Sequence, residues 1–417
     1  MTFITESQRR AVFDKVISLI DTKFTGAEVD VTHLRASHES GIVNSGTPED
    51  FERAMDALLK ALGTSHVGFF HESRPRAAGR IAIAATLTRA DTSSDGHRWV
   101  FQDVHPGGVA ATVGIESGDI LLDLNGQELV PPAAIPFRLG ASYTLTVRKR
   151  DGSALRATLV IPDSREKQRP IVVPDRVVSA RKLESDIGYV SISMFPGALG
   201  IDVARDINRA VSDLACTRLV IDLRGNTGGG IGCLRLMSQL CSDRRGVGYS
   251  VGQKLLRSGY DKNRLPQFDR IPSSKLKVLP LIVKFGLAGR SVAVFTEALG
   301  PQRHHGRVAI LVNEHSASAA EMVAAFASEY ELATLVGTKT AGRLVATSAF
   351  KVGFGYGVVL PVAKYFTWHG ANLEGQGVRP SIEEPFSFEA SQERKDSQLD
   401  RAIDVLRTAN RLTAAGV

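Results

Sequence analysis

The sequence has few cysteines and no long apolar run. Its three cysteines (Cys216, Cys233 and Cys241) lack the spacing of a metal site, and an odd number does not make a disulfide framework. No stretch reaches the roughly 20 apolar residues that a membrane-spanning helix needs. Residues 1–19 interleave charged and apolar positions as an amphipathic helix does, unlike a secretory signal. These absences predict a protein of a reducing, cytoplasmic compartment with no membrane partner.

The net charge is basic, but the basic residues are scattered. A formal charge of +7 and a pI near 9.3 are compatible with a nucleic-acid-binding protein. However, the dense basic runs at 148–150 and 165–169 flank predicted turns, and no nucleic-acid-binding motif is present. We therefore expect a solvated basic surface and no nucleic-acid partner.

The first 75 residues predict helices with a polar break at 28–48. The residues Thr47 to Asp50 predict the start of a helix, because a capping threonine is followed by a proline at the first helical position and by two acidic residues in the first turn. Gly63 ends that helix, and Ser65 and His66 follow it directly. A histidine at such a place is more often structural than catalytic, so these residues alone make His66 only a candidate.

Short β-like runs occupy the next 90 residues. Residues 104–126 predict a strand, a short helix, a Gly-Asp turn, a second strand and an Asn-Gly turn. This segment resembles the second half of a PDZ domain, a module that binds chain termini by adding the peptide as an extra strand. The glycine-rich loop that holds the terminal carboxylate in such domains is not evident near residues 80–88.

The rest of the chain alternates strands and helices. Apolar runs predict strands at 187–192, 218–224, 279–284, 308–312 and 334–337, and helical periods predict helices at 201–214, 291–299, 319–330 and 396–410. This alternation predicts a mixed α/β sheet whose strand ends carry the site.

Two polar turns follow buried strands in this region. Ser316 and Ser318 lie where the strand at 308–312 turns into a helix, so a hydroxyl there can point outward beside free backbone N–H groups. An ordinary N-cap serine is the alternative. The run 225–230 lacks the P-loop pattern, and Gly228 and Gly229 could instead bring backbone N–H groups against an oxyanion.

Four segments together resemble the tail-specific, or C-terminal processing, serine peptidases: 222–229, 313–321, 336–342 and 374–380. With the PDZ-like segment, the resemblance covers most of the chain in the right order. It implies an α/β core of the ClpP/crotonase-like kind, with Ser318 as the nucleophile. It also implies an oxyanion hole formed by Ala319 with Gly228 or Gly229.

The general base departs from the processing peptidases. Arg343 stands where they carry a lysine, and arginine stays protonated and cannot act as a base. In the processing peptidases this lysine follows a Thr-x-Gly motif, which here is residues 340–342. Lys339 lies nearby, but before this motif. This departure leaves the proton acceptor to another residue.

The tricorn-core branch of the same family uses a Ser-His pair and a downstream glutamate, which Ser65, His66 and Glu374 match. The resemblance implies that His66 accepts the Ser318 proton and that Ser65 orients the imidazole. Glu374 would hydrogen-bond the second serine or the substrate amine.

The sequence thus predicts a multi-domain α/β protein with a helical domain at 1–78, a PDZ-like domain at 79–165 and a peptidase core with a C-terminal helix at 166–417. The resemblance implies a serine peptidase that acts on unfolded proteins or short peptides without a metal or organic cofactor. A homo-oligomer is left open. The alternative is a non-catalytic peptide- or ligand-binding member of the family, as in the interphotoreceptor retinoid-binding proteins.

Overall fold

The computed structural model describes residues 3–72, 82–133, 137–162, 176–197, 200–272, 291–300 and 307–414. Internal contacts divide the chain into two units, each assembled from three stretches of sequence. The first unit comprises 1–75, 246–295 and 342–376, and the second comprises 76–245, 296–341 and 377–417. Both contain helices and β-sheet, which confirms the mixed α/β, multi-domain class.

The helices are α1 Glu6–Lys23, α2 Val31–Val43, α3 Pro48–Lys60, α4 Val109–Thr112, α5 Ile201–Leu214, α6 Cys233–Ser238, α7 Gln253–Ser258, α8 Ala319–Glu329, α9 Phe388–Gln392 and α10 Ser397–Ala414. The strands are β1 Gly68–His71, β2 Ala85–Thr92, β3 Gly96–Val104, β4 Ile120–Leu124, β5 Gln127–Glu128, β6 Ser142–Arg148, β7 Ala154–Val160, β8 Val178–Lys182, β9 Ile187–Ile192, β10 Arg218–Asp222, β11 Gly246–Gly252, β12 Gln267–Phe268, β13 Val292–Phe295, β14 Val308–Val312, β15 Thr334–Gly337, β16 Val345–Gly353, β17 Tyr356–Thr367 and β18 Ile382–Glu383. Within the described ranges, none of the helices is long and apolar enough to cross a membrane.

Helices α1 to α3 open the first unit, and each begins at a side chain that accepts hydrogen bonds from first-turn amides. These caps are Thr5, Asp30 and Thr47. The polar break predicted at 28–48 is therefore wrong, because Asp30 starts α2 inside it. Only Leu34, Ile42 and Val43 of α2 are buried, too few apolar positions to produce a recognisable helical period.

A sheet with the order β1-β17-β11-β13-β12, and with β16 paired to β17, completes the first unit. The helix predicted at 291–299 is wrong, because residues 292–295 form strand β13. The run Val-Ala-Val-Phe is β-branched and aromatic, and it pairs antiparallel with β11. The strand predicted at 279–284 lies outside the described residues.

The helices pack on this sheet through a cluster of aromatic rings. Phe51 of α3 lies edge-on to Phe69 of β1 and to Tyr356 of β17, with ring centroids 5.6 and 5.2 Å apart. Phe69 and Tyr356 stack at 5.1 Å, and all three side chains are buried. Since β1 continues from the segment that contains Ser65 and His66, this cluster fixes that segment to the sheet.

The described residues of the second unit form two sheets. One has the order β2-β3-β4-β6-β7, with β5 paired to β4, and every pairing in it is antiparallel. Its buried side chains form a separate apolar core that includes Phe101, Leu121, Leu145 and Leu159. We refer to this sheet with α4 as the β2–β7 module.

The other sheet has the order β18-β15-β14-β10-β9-β8. Its strands pair in parallel except for β8, which is antiparallel to β9. Parallel neighbours end at the same edge of a sheet. The glycine run that follows β10 and the serine turn that follows β14 therefore leave the sheet side by side.

We predict that Phe51→Ala lowers the free energy of unfolding by about 3–5 kcal/mol, because it removes a fully buried ring and leaves a cavity. Denaturant titration measures this loss. The matched control is Phe354→Ala, at a phenylalanine of the same unit that is 47% exposed. Equal losses in the two variants would contradict the assignment of Phe51 to the core.

Candidate active site

Ser318 lies at the N-terminal end of α8 in a strained backbone conformation. Its φ of 56° and ψ of −117° belong to a region that glycine adopts readily and other residues avoid. Its N–H donates to Glu321 Oε2 at 2.9 Å, and the Glu321 N–H donates to the Ser318 carbonyl oxygen at 2.9 Å. Two reciprocal hydrogen bonds thus hold the strained turn.

Glu321 is fully buried beneath this turn. Its second carboxylate oxygen accepts a hydrogen bond from Thr340 Oγ1 at 2.7 Å, and Thr340 Oγ1 accepts one from the Val378 N–H at 2.7 Å. The sequence interpretation included Glu321 in a motif but gave it no role. The available signal was its spacing, a glutamate three residues after an N-cap serine.

The neighbouring Ser316 has a structural role. It is fully buried, and its Oγ donates to the Leu223 carbonyl oxygen at 2.7 Å and accepts from the Asn313 N–H at 3.0 Å. Ser318 is only half-buried. Of the two serines, Ser318 therefore has the hydroxyl that a substrate can reach.

The glycine run lies directly against Ser318. A Cβ at Gly228 would stand 2.6 Å from Ser318 Cβ and 2.9 Å from the Ala319 nitrogen, so no side chain fits there. The Gly228 N–H donates to Asn226 Oδ1 at 2.8 Å. Among the described residues, the N–H groups of Gly229 and Ala319 make no hydrogen bond, which leaves two backbone donors beside this turn.

Arg224 anchors the start of the glycine run. Its buried guanidinium donates to Asp222 at 2.6 Å and to Asp396 at 2.7 Å. Burial alone would raise the pKa of Asp396, but the Arg224 guanidinium and the backbone N–H groups of Leu399 and Gln398 together outweigh burial and lower that pKa. A carboxyl group whose pKa is lowered by folding stabilises the folded state at pH values above the pKa of an unfolded aspartate. This stabilisation is lost as the pH falls through the lowered pKa. The ion pair ties the N-terminal end of α10 to the glycine run.

The first unit contains a second polar cluster, made of Thr64, Ser65, His66 and Glu374. Glu374 Oε1 accepts from the Ser65 N–H at 2.7 Å and from Thr64 Oγ1 at 3.0 Å. Glu374 Oε2 accepts from Ser65 Oγ at 3.0 Å and from the Leu344 N–H at 2.9 Å. With four donors on its two oxygens, the carboxylate is held in one orientation.

The same cluster determines the tautomer of His66. Ser65 Oγ lies 2.7 Å from His66 Nδ1. Because the Ser65 hydroxyl donates its hydrogen bond to Glu374, it can only accept a hydrogen bond from the imidazole. Nδ1 therefore carries the hydrogen, and Nε2 keeps the lone pair that a general base needs. His66 is exposed to solvent in the first unit.

The predicted site residues thus fall into two groups. Ser65, His66 and Glu374 form one hydrogen-bond network in the first unit, and Gly228, Gly229, Ser318 and Ala319 lie in the turns of the second. Arg343 and Lys339, the residues on either side of the motif at 340–342, are both exposed.

Residues 186–384 match the family described as peptidase family S41. The match covers just under half of the chain and includes the four segments that resemble the C-terminal processing peptidases. A carboxyl-terminal-processing protease of a Picosynechococcus species is 25% identical over 310 residues, which cover 72% of this chain and 65% of that protein. The tricorn protease of Thermoplasma volcanium is more distant, with 22% identity over 358 residues that cover 81% of this chain and 30% of that protein.

The chain spans 44 to 65% of the length of the first curated relatives that it matches. Among solved structures, a photosystem II D1 C-terminal processing protease is similar, with a TM-score of 0.57. The two chains are 16% identical, and the similarity covers 90% of this chain and 93% of the other. At this identity the likeness shows a shared fold.

We predict that Ser318→Gly is more stable than Ser318→Ala by about 1–3 kcal/mol, because glycine relieves the backbone strain and alanine keeps it. Denaturant unfolding of both variants measures the difference. The control is the exposed Ser328 inside α8, where glycine should instead be the less stable by about 0.5–1 kcal/mol. A glycine variant that is the less stable at both positions would mean that Ser318 is unstrained.

Proposed function

We propose that this protein is a serine peptidase that hydrolyses peptide bonds of unfolded proteins or short peptides through an acyl-enzyme on Ser318. The observation that carries this proposal is the strained serine turn against Gly228, with two unbonded backbone donors beside it. Strain of this kind concentrates at active sites. The carboxyl-terminal-processing proteases among the relatives support the same class.

In the proposed reaction, Ser318 Oγ attacks the carbonyl carbon of the scissile peptide bond. His66 Nε2 takes the hydroxyl proton as the new C–O bond forms. Ser65 and Glu374 hold the imidazole in the tautomer whose Nε2 carries the lone pair that accepts this proton. Glu374 thus acts through the second serine, one of the two roles that the sequence comparison offers for it.

We assign the oxyanion hole to the backbone N–H groups of Gly229 and Ala319. The sequence alone left Gly228 and Gly229 as equal candidates. The Gly228 N–H already has an acceptor in Asn226 Oδ1, whereas that of Gly229 has none among the described residues. Each such donor contributes roughly 10²–10³ in kcat. Gly228 supplies the space for the hole.

Collapse of the tetrahedral intermediate breaks the C–N bond, and the imidazolium gives its proton to the departing amine. A water molecule then loses a proton to His66 and attacks the acyl carbon. The bond from this carbon to Ser318 Oγ breaks as the imidazolium returns the proton to Ser318 Oγ, and the carboxylate product is released. Each catalytic group in this proposal belongs to the protein, and the proposal includes no metal or organic cofactor.

We also propose a domain for each part of the chain. We infer that the β2–β7 module is a PDZ-like domain within residues 79–165, following the helical domain at 1–78. The parallel sheet would belong to a ClpP/crotonase-like core within 166–417. We also infer a reducing, cytoplasmic compartment, since the three cysteines are odd in number, lack metal-ligand spacing and are buried.

A serine-reactive fluorophosphonate probe tests the nucleophile. Ser318→Ala should fold and lose both probe labelling and peptide turnover, because the attacking oxygen is gone. The control Ser316→Ala should be less stable by about 1–3 kcal/mol, since it leaves buried polar groups unsatisfied, but its folded molecules should still be labelled. An unlabelled wild type would favour the non-catalytic, ligand-binding alternative, and full turnover by Ser318→Ala would end this mechanism.

The base is tested by kinetics and pH. His66→Ala should lower kcat on the order of 10³-fold, because activation and orientation of the nucleophile are lost together. In the wild type, kcat/KM should rise with pH in one step between about pH 5 and 8, the range in which histidine ordinarily loses its charge. Lys339→Ala and Arg343→Ala are the controls and should cost far less. If Lys339→Ala abolishes turnover and His66→Ala does not, then His66 is not the base, and Lys339 would form a Ser-Lys dyad with Ser318.

A further inference from the structure

Asp103, at the C-terminal part of β3, connects the β2–β7 module to the serine turn. Its Oδ2 accepts hydrogen bonds from Asn313 Nδ2 at 2.8 Å and from Thr86 Oγ1 at 2.5 Å. Thr86 Oγ1 in turn accepts from the Asp103 N–H at 3.1 Å. The carboxylate is therefore fixed by the neighbouring strand β2, and it presents an anionic acceptor to an amide that lies 210 residues away in the sequence.

Asn313 is fully buried at the end of β14 and contacts both turns of the candidate site. Its Oδ1 accepts from the Gly225 N–H at 3.0 Å, in the turn that leads to Gly228 and Gly229. It also accepts from the His315 N–H at 3.1 Å, in the turn that leads to Ser318. If the amide were flipped, its NH₂ group would face these two N–H donors, and its oxygen would face a carboxylate.

A steric contact lies at the same place. Gly225 has a φ of 68°, and a Cβ there would stand 2.8 Å from His105 Nε2 and 3.0 Å from Asp103 Oδ2. The backbone of the glycine run thus touches the module itself. Asp103 is consequently placed to set both the orientation of the Asn313 amide and the position of the Gly225 turn.

We propose that Asp103 is a positioning residue for the reaction. Through Asn313 it holds the turn that presents the oxyanion donor and the turn that presents the nucleophile in one geometry. The hydrogen bond is charge-assisted and therefore stronger than one to a neutral acceptor. The β2–β7 module then contributes to bond making, beyond any capture of the peptide. This inference rests on the proposed serine peptidase function.

The test compares Asp103→Ala and Asp103→Asn in the full-length chain. The readouts are the second-order rate of fluorophosphonate labelling and the kcat and KM for a short chromogenic ester. Asp103→Ala should lower the labelling rate and kcat roughly 10- to 100-fold with KM nearly unchanged, because the turns shift while a short ester still binds. Asp103→Asn keeps an oxygen acceptor for Asn313, so it should lose less.

The matched control is Asp91→Ala, at an aspartate of β2 in the same module whose side chain is 90% exposed. Its labelling rate should equal that of the wild type. A folded Asp103→Ala protein that labels at the wild-type rate, with only a lowered Tm, would overturn the inference and leave Asp103 a purely structural residue. An unlabelled wild type would refute the proposed function itself, which no result on Asp103 can do.

A double-mutant cycle tests the route through Asn313. In an Asn313→Ser background, Asp103→Asn should cause little further loss, because the amide on which the carboxylate acts is already gone. If the two fold-changes multiply as independent effects, Asp103 does not act through Asn313 and the inference fails. The cycle uses only conservative changes, so it decides the question even if Asp103→Ala does not fold.

Discussion

The parallel pairing of β10 with β14 is the constraint on which the candidate site depends. Leu219 lies opposite Val308 and Asp222 opposite Leu311, so the two strands end together. The glycine run and the serine turn must then leave the sheet at adjacent points. A slip of one residue would shift the start of the glycine run relative to the serine turn by one position. The register of this pairing therefore determines which glycine meets Ser318.

Close approach of two turns creates strain, and buried polar groups offset it. Ser318 is held in a conformation that costs about 1–3 kcal/mol in a non-glycine residue. Glu321, Asn226 and Asn313 are each fully buried, and each bonds to the backbone of these turns. Their hydrogen bonds fix the backbone without occupying the space beside the serine. The polar network makes the geometry specific, while the apolar sheet supplies the stability beneath it.

The sequence was most informative where the signal is local. Strand β14, helix α8 and the glycine run are contiguous patterns, so the mixed α/β class and the two turns could be recognised without a structure. Helix α2 has too few apolar residues for a clear period, and β13 is only four residues long. The predictions for both segments are wrong for that reason. The hydrogen bonds from Glu321 to Thr340 and from Asp103 to Asn313 join residues that are 19 and 210 positions apart, and no local pattern predicts such pairs.

The His66 imidazole is oriented by a carboxylate that acts through a hydroxyl, since Ser65 lies between His66 and Glu374. In a Ser-His-Asp triad the carboxylate bonds Nδ1 itself, which fixes the tautomer and also stabilises the imidazolium that forms. Here a hydroxyl stands between them, 2.7 Å from the imidazole and 3.0 Å from the carboxylate. The tautomer is fixed equally well, because the hydroxyl can donate in only one direction. The negative charge lies farther from the ring, so it stabilises the imidazolium less. In the proposed mechanism, the backbone N–H groups of Gly229 and Ala319 would then supply a larger share of the transition-state stabilisation.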